Sequence, residues 1–324
     1  MSQASPGGPD PGASGREFTR PQRFSHMAMA CRFEFFLYGI APDRARGVAH
    51  VAFAEIERLE QLLSRFIEYS DIARLNATAL GTSVQVSPET VECLQIAARW
   101  YTATGGAFDV AFRSRRRWSE LAGGSALPDQ PEPQQQAGGV LTPLAFDPAS
   151  HAIRVLLPGL DLDLGGIGKG YALDRAAEIL REYGVPAGLL HSGESTIRVF
   201  SDPPRGRPWR LNLRHPEQHG PPPASVEVQN EALSGSGQLP HDRHIIDPQT
   251  GRPVETRAAW AVAPTAADAD ALSTAFMLMP PAAVAALCGR CAGVSAIFPA
   301  SGAGELELRS FGPHRVSVHG RPGA

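Results

Sequence analysis

The chain has 324 residues, of which 43% are hydrophobic, and a formal net charge of −3 from 30 basic and 33 acidic side chains. This length and apolar content suit one large domain, or two intimate ones, with an ample core. The charge shows no basic excess, which argues against nucleic-acid binding. A negatively charged ligand would therefore need local donors or a metal ion rather than the field of the whole protein.

Four cysteines are too few for a disulfide framework in a chain of this length. Cys288 and Cys291 form a single CxxC pair, so we expect ordinary packing for these thiols, with redox chemistry as the alternative. The N-terminus shows neither the apolar segment of a secretory signal nor a cysteine for lipid attachment. No apolar run approaches about 18 residues, so we predict no membrane span and a cytoplasmic location.

The first half of the chain begins with a segment rich in Pro, Gly and Ser at 1–20, which we expect to be disordered. We treat the remainder, 21–324, as one domain. Its first half is predicted to contain a strand at Arg32–Phe35, amphipathic helices at 43–68 and 88–104, and a low-complexity insertion at about 122–139.

The second half of the chain mixes strands and helices without a regular βαβ repeat, which favours an α+β fold with a largely antiparallel sheet. Strands are predicted at 153–157, 186–200, 208–214, 224–229, 258–263, 294–298 and 305–310. Helices are predicted at 170–183, 266–279 and 281–289.

A glycine-rich segment, Leu164–Gly170, runs from Asp163 into a predicted helix. Glycines let the backbone approach a ligand closely, and the free N–H groups at a helix start attract phosphate. Lys169 adds a positive charge. The spacing matches neither a P-loop nor the dinucleotide-binding GxGxxG, so a phosphate site and a tight structural turn both remain open.

A second motif, Asp270–Thr274, lies inside the predicted helix at 266–279. Residues i and i+4 share a helix face, so Asp270 and Thr274 present a carboxylate and a hydroxyl together. Such hard oxygen ligands suit Mg²⁺, which keeps waters and phosphate oxygens in the rest of its shell. The alternative is an exposed Asp and a Thr bonded to its own helix. The apolar neighbours indicate a buried helix, which makes an unpaired Asp270 costly.

Three further segments are ambiguous when taken singly. His244–Pro253 has the sequence of a turn, in which Asp247 can act as an Asx-turn cap. His244 is either a strand residue or a functional acid, base or hydrogen-bond donor to a phosphate. The glycines of Thr104–Val110 predict a tight loop against a ligand or another backbone. Ser64–Asn76, at the end of the first helix, carries Phe66, which would stack on a planar ligand or pack in the core.

Together and in this order, these segments resemble the ApbE family of FAD:protein FMN transferases over roughly residues 27–300. The segments that carry the resemblance are DLGGIGKGYALD, HIIDPQTGRP and ADALSTA, supported by SRFIEYSDIARLN and TGGAFD. The resemblance implies a T-fold-like α+β architecture, with a mainly antiparallel sheet, flanking helices and a flavin cleft between lobes. It also implies FAD as substrate and Mg²⁺ as cofactor.

The resemblance implies roles for residues that match the family's motifs. The residues expected to contact FAD are Met29, Phe66, Ala107, Phe108, Asp109, Asp163, Lys169 and His244, and Lys169 is expected to face the phosphates. The metal ligands would be the Gly166 carbonyl, Asp270 and Thr274. His244 and Asp247 are both candidates for the catalytic base, and the sequence does not choose between them.

Several loops depart from the family's pattern. Met29-Ala30-Cys31 stands where the family has Met-Gly-Thr, so a loop expected to approach the cofactor gains a Cβ. His191–Ser195 replaces Gly-Gly-Asp, and Arg113–Arg117 replaces a Pro-Leu stretch. These differences bear more on activity than on fold.

The implied reaction is attack by a Thr or Ser hydroxyl of an acceptor, expected to be a redox protein, on the FMN-side phosphorus of FAD. AMP is the leaving group, and Mg²⁺ neutralises charge on the pyrophosphate. One alternative is a magnesium-dependent FAD pyrophosphatase, in which water is the nucleophile. The other is a non-catalytic flavin-binding maturation protein.

Overall fold

The computed structural model describes residues 20–121, 144–147, 150–193, 195–201, 208–213, 224–237, 258–299 and 308–319. The helices are α1 (Pro42–Leu63), α2 (Asp71–Asn76), α3 (Pro88–Ala103), α4 (Phe112–Leu121), α5 (Gly168–Glu182), α6 (Ala266–Phe276) and α7 (Pro281–Arg290). The strands are β1 (Gln22–Ala28), β2 (Cys31–Tyr38), β3 (Ser83–Gln85), β4 (Leu144–Asp147), β5 (Ala152–Val155), β6 (Ala187–Ser192), β7 (Thr196–Ser201), β8 (Trp209–Leu213), β9 (Ala224–Val228), β10 (Ala232–Gly237), β11 (Ala258–Ala263), β12 (Ser295–Pro299), β13 (Leu308–Phe311) and β14 (Val316–Val318).

A large sheet organises the fold. Its eight strands run in the order β1-β2-β6-β7-β10-β11-β12-β13. Every neighbouring pair in that order is antiparallel. The predicted α+β class with a mainly antiparallel sheet is therefore confirmed.

The large sheet is covered on both faces. Helices α1, α3, α5 and α6 pack with it around the main core, which includes Phe33, Phe35, Ile56 and Phe276. A second core lies between the other face and the small sheet β14-β9-β8. Because both faces are buried, strands such as β11 are apolar along their whole length rather than alternating.

The N-terminal strand prediction was incomplete. The structure has a hairpin of β1 and β2, in which Ala28 pairs with Cys31 across a two-residue turn. The alternation expected at Arg32–Phe35 does not continue along β2, because residues 33 to 38 are all buried between the two layers. The predicted strand at 186–200 is likewise two strands, β6 and β7, joined through Gly193.

The first helix is shorter than predicted. It ends at Leu63 rather than at residue 68, because Ser64 adopts an extended conformation. Ser70 Oγ donates to Ser64 O at 2.5 Å and accepts from Ala73 N at 2.9 Å, which starts α2. Phe66 therefore lies in the turn between α1 and α2, not on the helix.

Two parts of the predicted organisation lie outside the described residues. These are the N-terminal segment, apart from Arg20, and the insertion at 122–139.

The structure also contains β10, which we did not predict because its Ser-Gly-Ser-Gly sequence is poor in strand-forming side chains. No helix in the described part of the chain combines the length and apolarity needed to cross a bilayer.

Candidate functional site

The predicted glycine turn leads directly into α5. Gly168 N donates to Leu164 O at 2.7 Å, and the helix begins at Gly168. Asp163 Oδ1 accepts the N–H of Gly165 at 2.9 Å. Lys169 Nζ donates to Gly165 O at 2.6 Å. The turn is thus closed by hydrogen bonds among its own residues. Lys169 lies in the first turn of α5.

Helices α5 and α6 come into close contact at Gly170. A methyl group on Gly170 would lie 2.2 Å from Ala266 O and 2.8 Å from Ala267 N. Gly170 N donates to Asp270 Oδ2 at 3.3 Å. Only a residue without a Cβ fits here, so this glycine serves helix packing and brings the turn to the carboxylate.

Asp174, one turn further along α5, caps the N-terminus of α6. Its two carboxylate oxygens accept from Ala266 N and Ala267 N at 2.8 Å each. Arg198 Nε lies 3.2 Å from Asp174 Oδ1. Burial raises the pKa of Asp174 to about 7, while Arg198 and the two N–H donors act in the opposite direction. The start of α6 is therefore tied to α5.

Asp270 and Thr274 lie on one face of α6, one turn apart. Asp270 is 5% exposed. In the described part of the chain its carboxylate contacts only neutral donors, namely Gly170 N at 3.3 Å, Thr196 Oγ1 at 3.2 Å and Ser234 Oγ at 3.4 Å. A buried carboxylate of this kind is costly unless a cation completes its surroundings.

The glycine turn and α6 meet at Gly166 and Thr274. A methyl group on Gly166 would lie 3.5 Å from Thr274 Oγ1 and 3.4 Å from the Phe108 ring. A carboxylate, a hydroxyl and a backbone carbonyl are hard donors that fit Mg²⁺. The described residues hold no group of three or more His, Cys, Asp or Glu side chains suited to a metal. A cation here would depend on backbone, water and phosphate oxygens as well.

An open cleft of about 180 Å³ lies beside the glycine turn. Its lining brings together Met29, Phe66, Asp163 and Lys169, four of the residues that the sequence assigned to FAD. The other walls come from the end of α1, the β1–β2 turn and the glycine turn itself. Residues distant in sequence thus share one cavity, whereas the assigned metal ligands Gly166, Asp270 and Thr274 are not among its lining residues.

The β1–β2 turn forms one wall of the cleft under backbone strain. Met29 and Ala30 have φ of 49° and 56°, as a two-residue hairpin turn requires. Neither residue is glycine, so each conformation costs about 1 kcal/mol or more. The departure from Met-Gly-Thr therefore places a strained alanine against the cleft.

Phe66 stands at the rim of the cleft with 89% of its surface exposed, so it is not part of the core. The guanidinium of Arg65 lies 5.5 Å from the centre of its ring. An exposed aromatic ring beside a cation offers a stacking surface for a planar ligand.

The Thr104–Val110 loop lies behind the glycine turn. Phe108 is 4% exposed and contacts Gly166, and Ala107 packs against the core. The Asp109 side chain is 2% exposed and pairs with Arg115 Nε at 2.6 Å. The structure therefore does not bring the Asp109 carboxylate to the cleft lining, although the loop supports the turn that does line it.

Sequence reasoning missed several polar residues of the cleft. Arg65 pairs with Asp161 at 2.7 Å and with Asp163 at 3.2 Å, and Arg113 lies 3.5 Å from Asp163. Two guanidinium groups thus flank the carboxylate that was assigned to FAD. Arg65 directly precedes Phe66 in the quoted SRFIEY segment, which was the available signal.

Cys31 also belongs to these surroundings. Burial raises the pKa of its thiol, Lys169 lowers it, and Asp270 and Glu60 raise it. The thiol is therefore within electrostatic range of both the lysine and the buried carboxylate. The available sequence signal was its place in the Met29-Ala30-Cys31 segment, which the resemblance put in a loop near the cofactor.

Two assigned residues, His244 and Asp247, lie outside the described residues. Their roles as catalytic base and flavin contact remain predictions. Glu194, in the segment that departs from Gly-Gly-Asp, also lies outside them.

The chain is similar in sequence to proteins named FAD:protein FMN transferase. It is 28% identical to the Escherichia coli K12 protein over 262 residues, which cover 75% of this chain and 74% of that protein. It is also 28% identical to the Treponema pallidum (strain Nichols) protein over 316 residues, covering 87% of this chain and 84% of that protein.

The fold is similar to solved flavin transferase structures. The apo Pseudomonas stutzeri flavinyl transferase ApbE superposes with a TM-score of 0.70 at 22% identity, covering 91% of this chain and 96% of that one. The Vibrio cholerae flavin transferase ApbE gives a TM-score of 0.71 at 21% identity, covering 89% and 96%. At this identity the likeness establishes the fold alone.

A sequence model of the ApbE family matches residues 27–298, a span that contains the β1–β2 turn, the glycine turn and α6. The chain therefore belongs to the ApbE family.

Proposed function

We propose that this protein transfers the FMN part of FAD to a Thr or Ser hydroxyl of an acceptor protein, releases AMP and depends on Mg²⁺. The observation that carries the proposal is the contact between α6 and the glycine turn, which itself lines the cleft. At this contact Asp270 is buried, and within the described residues its carboxylate has only neutral hydrogen-bond donors as partners. Thr274 lies one turn further along α6, beside Gly166. Sequence relatives named FAD:protein FMN transferase support the same reaction.

The cleft residues fit a flavin dinucleotide. The exposed ring of Phe66 would stack on a planar ring system, and Met29, in the β1–β2 turn, would contact the same ligand. The ammonium of Lys169, at the start of α5, would face the diphosphate. Lys169 would then exchange its hydrogen bond with Gly165 O for a phosphate oxygen.

The donor set next to the cleft fits Mg²⁺. Asp270, Thr274 and the Gly166 carbonyl would hold the ion, with water and diphosphate oxygens as further ligands. When bound, Mg²⁺ would neutralise the charge that develops on the diphosphate. Asp270 is 5% exposed and contacts α5 and the strands β7 and β10, which keeps the position of its carboxylate fixed.

The bond changes of the reaction are simple. The acceptor hydroxyl oxygen forms a bond to the FMN-side phosphorus, and the phosphorus–oxygen bond to AMP breaks. The hydroxyl proton leaves to a base, for which His244 and Asp247 are the predicted candidates. The chain's described residues orient the diphosphate, which is where such reactions gain most of their rate. A redox protein is the predicted acceptor, and the cytoplasm is the predicted compartment.

The test incubates purified protein with FAD and Mg²⁺, with and without an acceptor protein that carries a flavinylation site. Flavin fluorescence of the acceptor on a denaturing gel, together with AMP in equal amount, supports transfer. Free FMN and AMP without acceptor support the pyrophosphatase alternative. Binding of FAD without AMP release under either condition supports a non-catalytic role and contradicts the proposal.

A further inference from the structure

We propose that Thr196 and Ser234 are positioning residues that orient the Asp270 carboxylate for its metal ion, an inference that rests on the function proposed above. Neither residue lies in a motif that identified the site. They reach α6 from two strands of the large sheet, β7 and β10.

The two hydroxyls lie side by side beneath α6. Thr196 and Ser234 are directly opposite each other in the antiparallel pairing of β7 with β10. Their oxygens are 3.0 Å apart, and both residues are fully buried. Thr196 Oγ1 lies 3.2 Å and Ser234 Oγ 3.4 Å from the same atom, Asp270 Oδ1.

The hydroxyl groups of this cluster can form a chain of hydrogen bonds that ends at Asp270. Ser273 Oγ can donate to Ser234 Oγ at 3.2 Å, Ser234 can donate to Thr196 Oγ1 at 3.0 Å, and Thr196 can donate to Asp270 Oδ1 at 3.2 Å. Each hydroxyl has one proton to give and accepts through its lone pairs. The cluster therefore presents the positive end of an O–H dipole to Oδ1 of the buried Asp270 carboxylate.

The two oxygens of the Asp270 carboxylate have different hydrogen-bond partners. Oδ1 lies within hydrogen-bond distance of the two hydroxyls from the sheet, whereas Oδ2 accepts the N–H of Gly170 at 3.3 Å. An oxygen with one long hydrogen bond keeps lone-pair capacity for a cation. The hydroxyls thus fix the rotation of the carboxylate and leave Oδ2, on the side of α5, as the metal-binding atom.

Strand β10 also contacts the second predicted ligand. Ser236 Oγ lies 3.3 Å from Thr274 Oγ1 and 2.8 Å from Ser273 Oγ. The strand that holds Ser234 against Asp270 therefore holds Ser236 against Thr274. Both side chains on α6 therefore contact hydroxyl groups of the same interior strand, and such contacts commonly orient metal ligands.

The decisive variants remove or keep one hydroxyl without changing the shape of the core. Thr196→Val deletes the hydroxyl and preserves volume, and Thr196→Ser keeps the hydroxyl. Thr90→Val is the matched control, because Thr90 is also fully buried and its hydroxyl donates to a carboxylate, Asp71 Oδ2 at 2.8 Å, in another part of the fold. Ser234→Ala tests the same pair from β10, so a folding defect in one variant does not remove the test.

The measured quantity is the dissociation constant for Mn²⁺, from electron paramagnetic resonance titrations of the protein with FAD, alongside thermal unfolding. We expect Thr196→Val and Ser234→Ala each to weaken Mn²⁺ binding about tenfold. We expect Thr196→Ser to restore wild-type affinity. Thr90→Val should lower the unfolding temperature as much as Thr196→Val yet leave Mn²⁺ affinity unchanged.

The outcomes separate this inference from the proposed function. Mn²⁺ affinity within twofold of wild type in both Thr196→Val and Ser234→Ala would overturn the positioning role alone, provided that Asp270→Ala abolishes binding. Equal weakening in Thr90→Val would also overturn it, because the effect would then be a general loss of stability. Equal Mn²⁺ binding by wild type and Asp270→Ala would overturn the metal assignment, and this inference with it.

Discussion

Gly170 and Ala266 lie so close that no side chain can stand between them: a methyl group on the glycine would be 2.2 Å from the carbonyl oxygen of the alanine. This contact sets how near the glycine turn comes to α6. The distance between the turn and Asp270 therefore depends on a glycine of the motif for which the sequence left a phosphate site and a tight structural turn both open.

Gly170→Ala should separate the two helices and weaken both stability and activity. Overpacking against backbone atoms is expected to lower the free energy of unfolding by about 3 kcal/mol. Urea denaturation measures this value. Gly47→Ala is the control, since Gly47 lies in α1 with no atom near its would-be side chain and should gain up to about 1 kcal/mol. A fully stable Gly170→Ala variant with wild-type activity would contradict the packing role.

Asp174→Asn should loosen the start of α6. The change places an amide NH₂ against a backbone N–H of α6 and leaves the buried Arg198 without its charged partner. We expect a loss of about 3 kcal/mol in the free energy of unfolding. Asp43→Asn, an exposed aspartate in the first turn of α1, should change stability by less than about 0.5 kcal/mol. Equal stability of the two variants would show that Asp174 is not a structural cap.

Asp270→Ala should abolish turnover while the fold persists. Removal of the carboxylate takes away the charged ligand of the proposed metal site, so FMN transfer should fall by at least about a hundredfold. Excess EDTA should have the same effect on the wild-type protein, and added Mg²⁺ should reverse it. Comparable transfer by Asp270→Ala, or full activity in EDTA, would rule out the metal assignment.

Lys169→Ala should weaken FAD binding about tenfold, because a charge-assisted contact to phosphate is lost. Lys169→Arg should keep most of the affinity. Lys169 is the only lysine in the chain, so an amine-reactive reagent reports on this side chain and the N-terminus alone. Saturating FAD should protect Lys169 from acetylation, as measured by mass spectrometry of the peptide. Equal labelling with and without FAD would place the lysine outside the phosphate site.

Cys31 should react slowly with iodoacetamide at neutral pH. Burial raises the pKa of its thiol above its ordinary value of 9.0, so the reactive thiolate becomes populated only in more alkaline solution. Since Lys169 lowers this pKa, Lys169→Ala should move the alkylation midpoint to higher pH. Rates are measured in a Cys291→Ser background, with Cys31→Ser as the blank. A midpoint below 9.0, or one that ignores Lys169, would contradict the described surroundings.

Features that depend on local spacing could be predicted from the residues alone. The i, i+4 relation of Asp270 and Thr274 follows from the helical repeat, and the glycine turn before α5 follows from backbone freedom. The order of the motifs also indicated the family. The predicted end of α1 was wrong. The helix stops before Ser64, whose carbonyl oxygen accepts a hydrogen bond from the Ser70 side chain, and hydrophobic periodicity does not encode this contact.

The residues that complete the site from distant parts of the chain could be identified only in the folded protein. Thr196 lies 74 residues and Ser234 36 residues from Asp270 along the chain. Their contact exists because β7 and β10 become neighbours in the sheet beneath α6, a pairing without a local sequence signal. The role of Gly170 was hidden for the same reason, because a glycine needed for helix packing and one needed for a ligand are identical in sequence and differ only in what stands opposite them.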